Sequence, residues 1–354
     1  MPRENASERN EPSSKEDRQR ILEVLGCNQG FAEPENWIEY ARQHNFKRVR
    51  AKKLLRCPEC GGERSVTLGQ YVYFSTLSRL QKCRNCGLAY SDSRIDAEEV
   101  RTHFERSYKE ENYFQVWRQR IVMQIARLVD RYTPHGGRVL DIGGATGYQM
   151  AVVHRMRPDL DITISDLSGD SCAAAASTYG FKTIRGRMTE LAELKARFDV
   201  VVMSDVIYYE QDLAGIWRML PEIVVAGGCV IIRSPNTLTL ITLAHYVSHL
   251  FRSRKASEMS DRIPFFTPDH FFVFSRRFLT TRLRALGFHP VIALPSELLT
   301  PDWKSRYLHS FWFRLAKAVS ALTFGRWVLT PSILYVGTRP PVGEEPAVSA
   351  DPSE

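Results

Sequence analysis

A chain of 354 residues that is 44% hydrophobic and 25% charged falls in the range of an ordinary soluble enzyme, long enough for two or three domains and a real core. Its formal charge of +8 permits attraction to phosphates or to an anionic lipid surface without requiring either. The opening MPRENASERNEPSSKEDRQR has no apolar core of the kind a cleavable secretory signal carries, which argues for the cytoplasm.

Residues 1–20 offer almost nothing apolar to offset ordering entropy and read as a disordered tail. Residues 21–56 form a helical segment, with apolar residues at helical spacing in ILEVLG and ENWIEYARQHNF. Its end, FKRVRAKKLLR, crowds Arg48, Arg50, Lys52, Lys53 and Arg56 together, as a solvated helix face or a charged linker does.

Residues 57–95 carry CPECGG and CRNCG, two C-x-x-C pairs separated by 22 residues. Each pair can curl around one ion, and four thiolates from Cys57, Cys60, Cys83 and Cys86 satisfy tetrahedral zinc with no open position, so a structural ion is expected. A disulfide framework does not suit an intracellular chain of this size, and a redox C-x-x-C should occur once beside a βαβ unit. Cys27, Cys172 and Cys229 read as packed thiols.

Residues 96–137 form a helical linker or lid, and from Arg138 the pattern alternates. RVLDI, DITISD, FKTIR, DVVVMS, CVIIRS, GFHPVIAL and SILYVG are of buried-strand length; DSCAAAASTYG, MTELAELKARF and LAGIWRMLPEIVVAGG read as helices between them, the last capped by its glycines. Such alternation predicts a Rossmann-like α/β domain over 138–338, a mostly parallel sheet covered on both faces. Thr237–Lys255 and Trp303–Trp327 are helix-like, aromatic and interrupted by cations; neither can span a bilayer, and they read as covers of the sheet's ligand end or as in-plane membrane contacts. Residues 339–354 form a second disordered tail.

The stretch VLDIGGATGYQM runs a strand through a glycine turn into a helix. Gly143, Gly144, Ala145 and Gly147 do not have the spacing of a dinucleotide fingerprint, and no Lys-Ser/Thr pair follows, so a triphosphate loop is unsupported. Asp141, two residues before the first glycine, sits where a ligand's amino group could be met; NAD has no ammonium there, whereas S-adenosylmethionine has one. Asp166, 25 residues further on, can accept both ribose hydroxyls, with Leu167 beside it.

This constellation resembles the class I S-adenosylmethionine-dependent methyltransferases, joined by FDVVVMSDVIYYEQDL as a fourth-strand motif, GGCVIIRSPN as a fifth, and the late run TPDHFFVFSRRFLTTRLRALGF. The resemblance implies a seven-stranded, mostly parallel sheet, S-adenosylmethionine as cofactor, and further cofactor contacts at Arg187, Met188, Ser204 and Asp205. Three departures stand out: Ala145 replaces the middle glycine and is tolerable there if its φ is negative, Tyr208-Tyr209 stands where Glu-His is frequent, and Arg187 stands where an acid often meets adenine. The cysteine module, followed by GLAYSD and YKEENYF, is similar to the N-terminal part of a subgroup acting on sugars, polyketides and other secondary metabolites. That likeness implies a small-molecule acceptor, with Tyr113 and Phe114 as cavity residues. The rival readings are an RNA methyltransferase gripping its substrate with the ribbon and basic segment, and a binding protein on an inactive fold.

Methyl transfer from a sulfonium rests mainly on alignment, with a base added if the acceptor must lose a proton. His270 is the first candidate base, since imidazole titrates near neutrality, or else a structural histidine. Tyr208 and Tyr209 could orient the acceptor or face the sulfonium with a ring. Asp205 could be a helix N-cap or an acid, and His103, His154, His245 and His249 have no partner motif.

Overall fold

The computed structural model describes residues 51–73, 76–107, 118–236, 270–297, 306–341 and 343. The predicted N-terminal tail, the helices ILEVLG and ENWIEYARQHNF, Tyr113, Phe114, His245, His249, the stretch 237–255 and most of the closing tail lie outside the described residues.

Strand β1 (Ala51–Lys53) leads into a hairpin of β2 (Ser65–Tyr73) and β3 (Thr76–Cys83), then β4 (Ala89–Ser91) and β5 (Ser93–Ile95), which pairs back onto β1. Two helices follow, α1 (Ala97–Ser107) and α2 (Gln119–Tyr132). In α2 the apolar Ile121, Val122, Ile125, Ala126 and Val129 recur at helical spacing and are buried, which fixes the side it turns to the sheet.

The alternating region then unfolds as expected: β6 (Arg138–Ile142), α3 (Tyr148–Met156), β7 (Asp161–Asp166), α4 (Gly169–Tyr179), β8 (Lys182–Arg185), β9 (Phe198–Ser204), α5 (Leu213–Ile223) and β10 (Val224–Pro235). After residue 270 come β11 (Phe272–Val273), α6 (Arg276–Ala285), β12 (Val291–Pro295), α7 (Arg306–Leu322) and β13 (Ser332–Thr338). The seven-stranded sheet runs β12-β13-β10-β9-β6-β7-β8, and β13 is antiparallel to both its neighbours. The remaining pairs are parallel, and β9 and β10 are β-branched runs buried on both faces, as a covered parallel sheet demands.

The chain leaves β6 toward β7 on one side and returns to β9 on the other, so the strand order reverses at β6. Such a reversal opens a crevice at the carboxyl ends of the strands, and the glycine turn lies there.

Two predicted helices change form. MTELAELKARF makes a 3-10 helix over Met188–Leu194 that stops at Lys195 in the left-handed region (φ 52°). The helix expected through LAGIWRMLPEIVVAGG ends at Ile223; Val224 already pairs with Phe198, and Gly227 and Gly228 lie in an irregularity of β10 before Cys229. The two valines favour the pleated surface beside β9, and the glycines accommodate a strand bulge instead of capping a helix.

A second, four-stranded sheet has the order β11-β4-β3-β2. Its first strand comes from residues 272–273, about 180 residues beyond β4 in sequence, as the register Phe272 to Tyr90 shows. The apolar core follows the same route, since Leu80, Leu88 and Tyr90 belong to one buried cluster with Trp217, Val230 and Phe274. The other face of the large sheet has its own cluster, built on α2, α3 and Ile164. Cys172 and Cys229 are buried thiols, as expected.

Candidate functional site

The glycine turn packs tightly over Asp141. A side chain on Gly144 would begin 2.9 Å from Asp141 Oδ2, so only glycine lets the backbone lie this close to the carboxylate. Gly143 and Gly144 direct their amides at the Ser165 carbonyl, at 2.7 and 3.3 Å, tying the turn to the end of β7. Gly147 then caps α3 with a left-handed backbone. Ala145 does not have the negative φ expected of it: its φ is 50°, and its amide donates to Asp166 Oδ2 at 3.0 Å. That bond and the tether to β7 hold an alanine where glycine is easier, at a cost of about 1–2 kcal/mol.

Asp141 is 1% exposed and accepts a hydrogen bond from Gln149 Nε2 at 3.3 Å. Burial pushes its carboxyl up to about 7; the Gln149 bond and the charge of Arg118 oppose this, and Asp166 adds to it. Asp166, half-buried at the end of β7, is likewise raised by burial, against amide bonds from Ser168 and Ala145. Leu167 follows it, half-buried. Two carboxylates therefore stand at adjacent strand ends, one beneath the turn and one beside it, an acceptor set suited to an ammonium and to vicinal hydroxyls.

Arg187 and Met188 open the 3-10 helix after β8. The Arg187 amide donates to Glu190 Oε2 at 3.0 Å and its guanidinium engages Glu210, while Met188 is buried. The Arg187 side chain thus joins the loop after β8 to the loop after β9.

At the end of β9, Ser204 is half-buried and Asp205 sits in the left-handed region (φ 58°). Asp205 is not a helix cap; that role belongs to Asp212, which accepts from the Gly215 amide at 2.9 Å. Instead Asp205 receives two guanidiniums. Arg118, at the start of α2, reaches Oδ2 at 2.7 Å and Ser204 Oγ at 3.2 Å; Arg233 from β10 bonds the same Oδ2 and gives its Nε–H to Ser296 at 2.8 Å. Burial by itself raises the Asp205 carboxyl, yet Arg233 and Arg118, with His270, outweigh it and hold the group below the usual carboxylate range. Sequence reasoning passed over Arg118, Arg233 and Gln149. A cation inside the buried strand CVIIRS was the available signal, because a charge there needs a carboxylate partner.

The structure brings the three proposed catalytic side chains together. His270 packs its ring 4.0 Å from that of Tyr208 and 5.5 Å from that of Tyr209, and the two tyrosines are 4.5 Å apart. His270 and Tyr208 are buried, whereas Tyr209 is half-buried. The neighbouring backbone anchors this cluster to the cysteine module: the Phe271 amide donates to the Tyr208 carbonyl at 3.0 Å, and the Phe271 carbonyl accepts from the Ser91 amide at 2.8 Å. His154, by contrast, stands edge-on to Phe181 at 5.9 Å on α3.

The four cysteines also converge, with all Sγ atoms within 4.8 Å of one another and with Cys57–Cys86 and Cys60–Cys83 separations of 3.6 Å. Four thiolates about a zinc ion at ~2.3 Å would lie roughly 3.8 Å apart, so the set fits a tetrahedral ion. Two further contacts tie this end of the module down. Glu59, between the first two cysteines, accepts from Trp217 Nε1 at 2.8 Å and pairs with Arg282 at 3.1 Å. Gln211 exchanges two hydrogen bonds with the backbone of Ile95, at 2.8 and 2.9 Å.

Over residues 113–293, just over half its length, the chain matches the family described as a methyltransferase domain. It is similar to the ribosomal RNA small subunit methyltransferase C of Enterobacter sp. (strain 638), at 24% identity over 150 residues, 37% of this chain; the chain spans 41% of that relative's length. Among solved structures it is similar to a SAM dependent methyltransferase from Archaeoglobus fulgidus, with 16% identity over 66% of this chain and 100% of that one and a TM-score of 0.44. A second is an O-methyltransferase family protein from Burkholderia thailandensis, with 15% identity, 70% and 61% coverage and a TM-score of 0.42.

Proposed function

Because the chain belongs to the S-adenosylmethionine-dependent methyltransferases, we propose that it methylates a small molecule, of sugar or secondary-metabolite type. The carrying observation is the aromatic trio beside the end of β9, in which His270 and Tyr208 are buried and Tyr209 is half-buried, an arrangement that suits an enclosed acceptor. Bound S-adenosylmethionine supplies an electrophilic methyl group on a positive sulfur. The chain's own residues do the rest.

In this reading Asp141 meets the cofactor's ammonium, aided by the close backbone of Gly143 and Gly144, and Asp166 accepts the ribose hydroxyls beside Ala145 and Leu167. Met188 packs near the base, and Ser204 and Asp205 hold the loop after β9 through Arg118 and Arg233. His270 takes the acceptor's proton at a ring nitrogen, and Tyr209, the more open of the tyrosines, orients the acceptor. Cys57, Cys60, Cys83 and Cys86 hold zinc as a structural ion, which sets the ribbon strand that pairs with β11 next to His270. A thiolate cluster of this kind persists where thiols stay reduced, which suits a cytoplasmic enzyme. Of the basic segment, Lys53 pairs with Asp92 at 2.8 Å and Arg56 with Glu63 at 2.7 Å, so part of its charge is spent locally rather than on a phosphate backbone.

The test supplies labelled S-adenosylmethionine with a metabolite extract and with total RNA in parallel. Label in the low-mass fraction, lost in His270→Ala while cofactor binding by calorimetry stays intact, is expected. Label in RNA alone would overturn the acceptor class, and unchanged turnover in His270→Ala would remove it as the base.

A further inference from the structure

Among its described side chains, helix α7 carries three large apolar ones on the outside. Phe311, Leu315 and Leu322 are 61%, 38% and 80% exposed, and with Arg314 and Ala318, also exposed, they recur at the three- and four-residue spacing of one helical face. The opposite face holds the small, buried Ala316 and Ser320, which let the helix lie close to β12.

The turn that follows extends this face. Phe324 is 96% exposed and Trp327 54% exposed. The turn is a built one: the Phe324 amide donates to Ala321 O at 3.1 Å, the Gly325 amide to Ser320 O at 2.7 Å, and the Trp327 amide to Thr323 Oγ1 at 3.1 Å. It holds Phe324 in the left-handed region (φ 50°), unfavourable for a bulky side chain. The turn's hydrogen bonds thus hold an aromatic residue at a backbone cost and with its ring almost wholly in water.

Charge selects what would cover this face. From residue 303 to residue 343 there is no aspartate or glutamate, against six cations, Lys304, Arg306, Arg314, Lys317, Arg326 and Arg339; of these Lys317 pairs with Glu297 at 2.5 Å and Arg339 donates to the Pro221 and Val224 carbonyls. Arg314 lies on the exposed apolar face and Arg326 stands exposed between Phe324 and Trp327. A second copy docking through the same face would set guanidinium against guanidinium with no acid between them. Lipid phosphates offer the complementary charge, and the acyl boundary takes the rings.

We propose that the outer face of α7 and the Phe324–Trp327 turn seat this enzyme in the plane of an anionic phospholipid surface. The helix spans about 25 Å at 1.5 Å per residue and carries cations along its length, so it lies in the interface and does not cross it. No described helix is long and apolar enough to cross a membrane. Such an anchor would let the enzyme meet an apolar acceptor partitioned into the bilayer.

The full-length protein is sedimented with vesicles of phosphatidylcholine alone and with vesicles in which about a third of the lipid is phosphatidylglycerol. Partition onto the anionic vesicles should exceed that onto the zwitterionic ones by about tenfold and weaken as salt is raised. The double variant Phe324→Asn, Trp327→Ser should lose about tenfold of the anionic partition while its melting temperature is not lowered and its cofactor affinity is unchanged. Asparagine is chosen because it tolerates the left-handed backbone. Equal partition onto both vesicle types, or none onto either, would overturn the proposal. So would a lipid-free dimer that the double variant dissociates, since the occupant would then be a second copy.

Discussion

The carboxylate of Glu59, set between two cysteines of the ribbon, accepts the indole N–H of Trp217 at 2.8 Å and faces Arg282 at 3.1 Å, with that guanidinium 5.6 Å from the Trp217 ring. One side chain thereby joins the cysteine knuckle to α5 and α6, and α6 directly follows β11 and His270. Glu59→Ala would leave a buried indole N–H and a guanidinium unpaired, at a cost of about 1–3 kcal/mol. Thermal melts should show that loss, kcat should fall, and the Kd for S-adenosylmethionine should hold; Glu59→Gln, which keeps an acceptor for the indole, should recover most of the stability. A weakened Kd with normal kcat would contradict this coupling. Metal content by colorimetric chelation should stay at wild-type level in both variants and fall in Cys83→Ser, whose melting temperature should also drop.

The buried Asp141 carboxyl is pushed up to about 7, chiefly by burial. A bound ammonium favours the ionised form, so binding below that pH must first release the proton. Affinity for S-adenosylmethionine should therefore fall as pH drops below about 7, by at most tenfold per unit, and level off above it. Calorimetry across this range in wild type and in Asp141→Asn checks the point: the variant should bind weakly with no such slope. The same slope in both proteins would assign the proton elsewhere.

Asp205 neutralises two guanidiniums, and the Arg233 side chain is 7% exposed. Asp205→Ala would strand that buried charge and should destabilise the fold by about 3–5 kcal/mol. Denaturant titration of Asp205→Ala beside the double variant Asp205→Ala, Arg233→Met separates the causes, because the double variant should regain much of the loss. If the two variants are equally unstable, the cost lies in backbone conformation and not in the stranded charge.

Ala145 occupies a left-handed backbone position in the glycine turn. Ala145→Gly relieves the steric cost but loosens the unfolded chain, so its folding stability, read from thermal melts, should be unchanged or raised by at most about 1 kcal/mol. Ala145→Val, β-branched at positive φ, should lose about 2 kcal/mol or more and weaken cofactor binding. A valine variant as stable as wild type would contradict the assigned conformation.

The alternating strands and helices were legible because buried parallel strands are short β-branched runs, and DITISD and DVVVMS appear as β7 and β9. The cysteine cluster was legible because ligand spacing is local. What escaped were pairings between distant segments. Arg118 meets Asp205 across 87 positions and Trp217 meets Glu59 across 158, and no periodicity encodes such a meeting. The end of α5 was misplaced for a different reason. Glycines after a helical run usually mean a cap, and here tertiary pairing of Val224 with Phe198 drew them into a strand. The sign of φ at Ala145 likewise depends on the amide bond to Asp166, a contact made only in the folded chain.

Because β11 completes the cysteine-bearing sheet from a point far along the chain, the ribbon is not a detachable cassette. Chimeras that graft residues 57–95 from a relative would meet a foreign partner at Tyr90–Phe272, and only exchanges that carry both segments together would preserve the seam. Divergence of this module should accordingly proceed by paired changes on either side of that join.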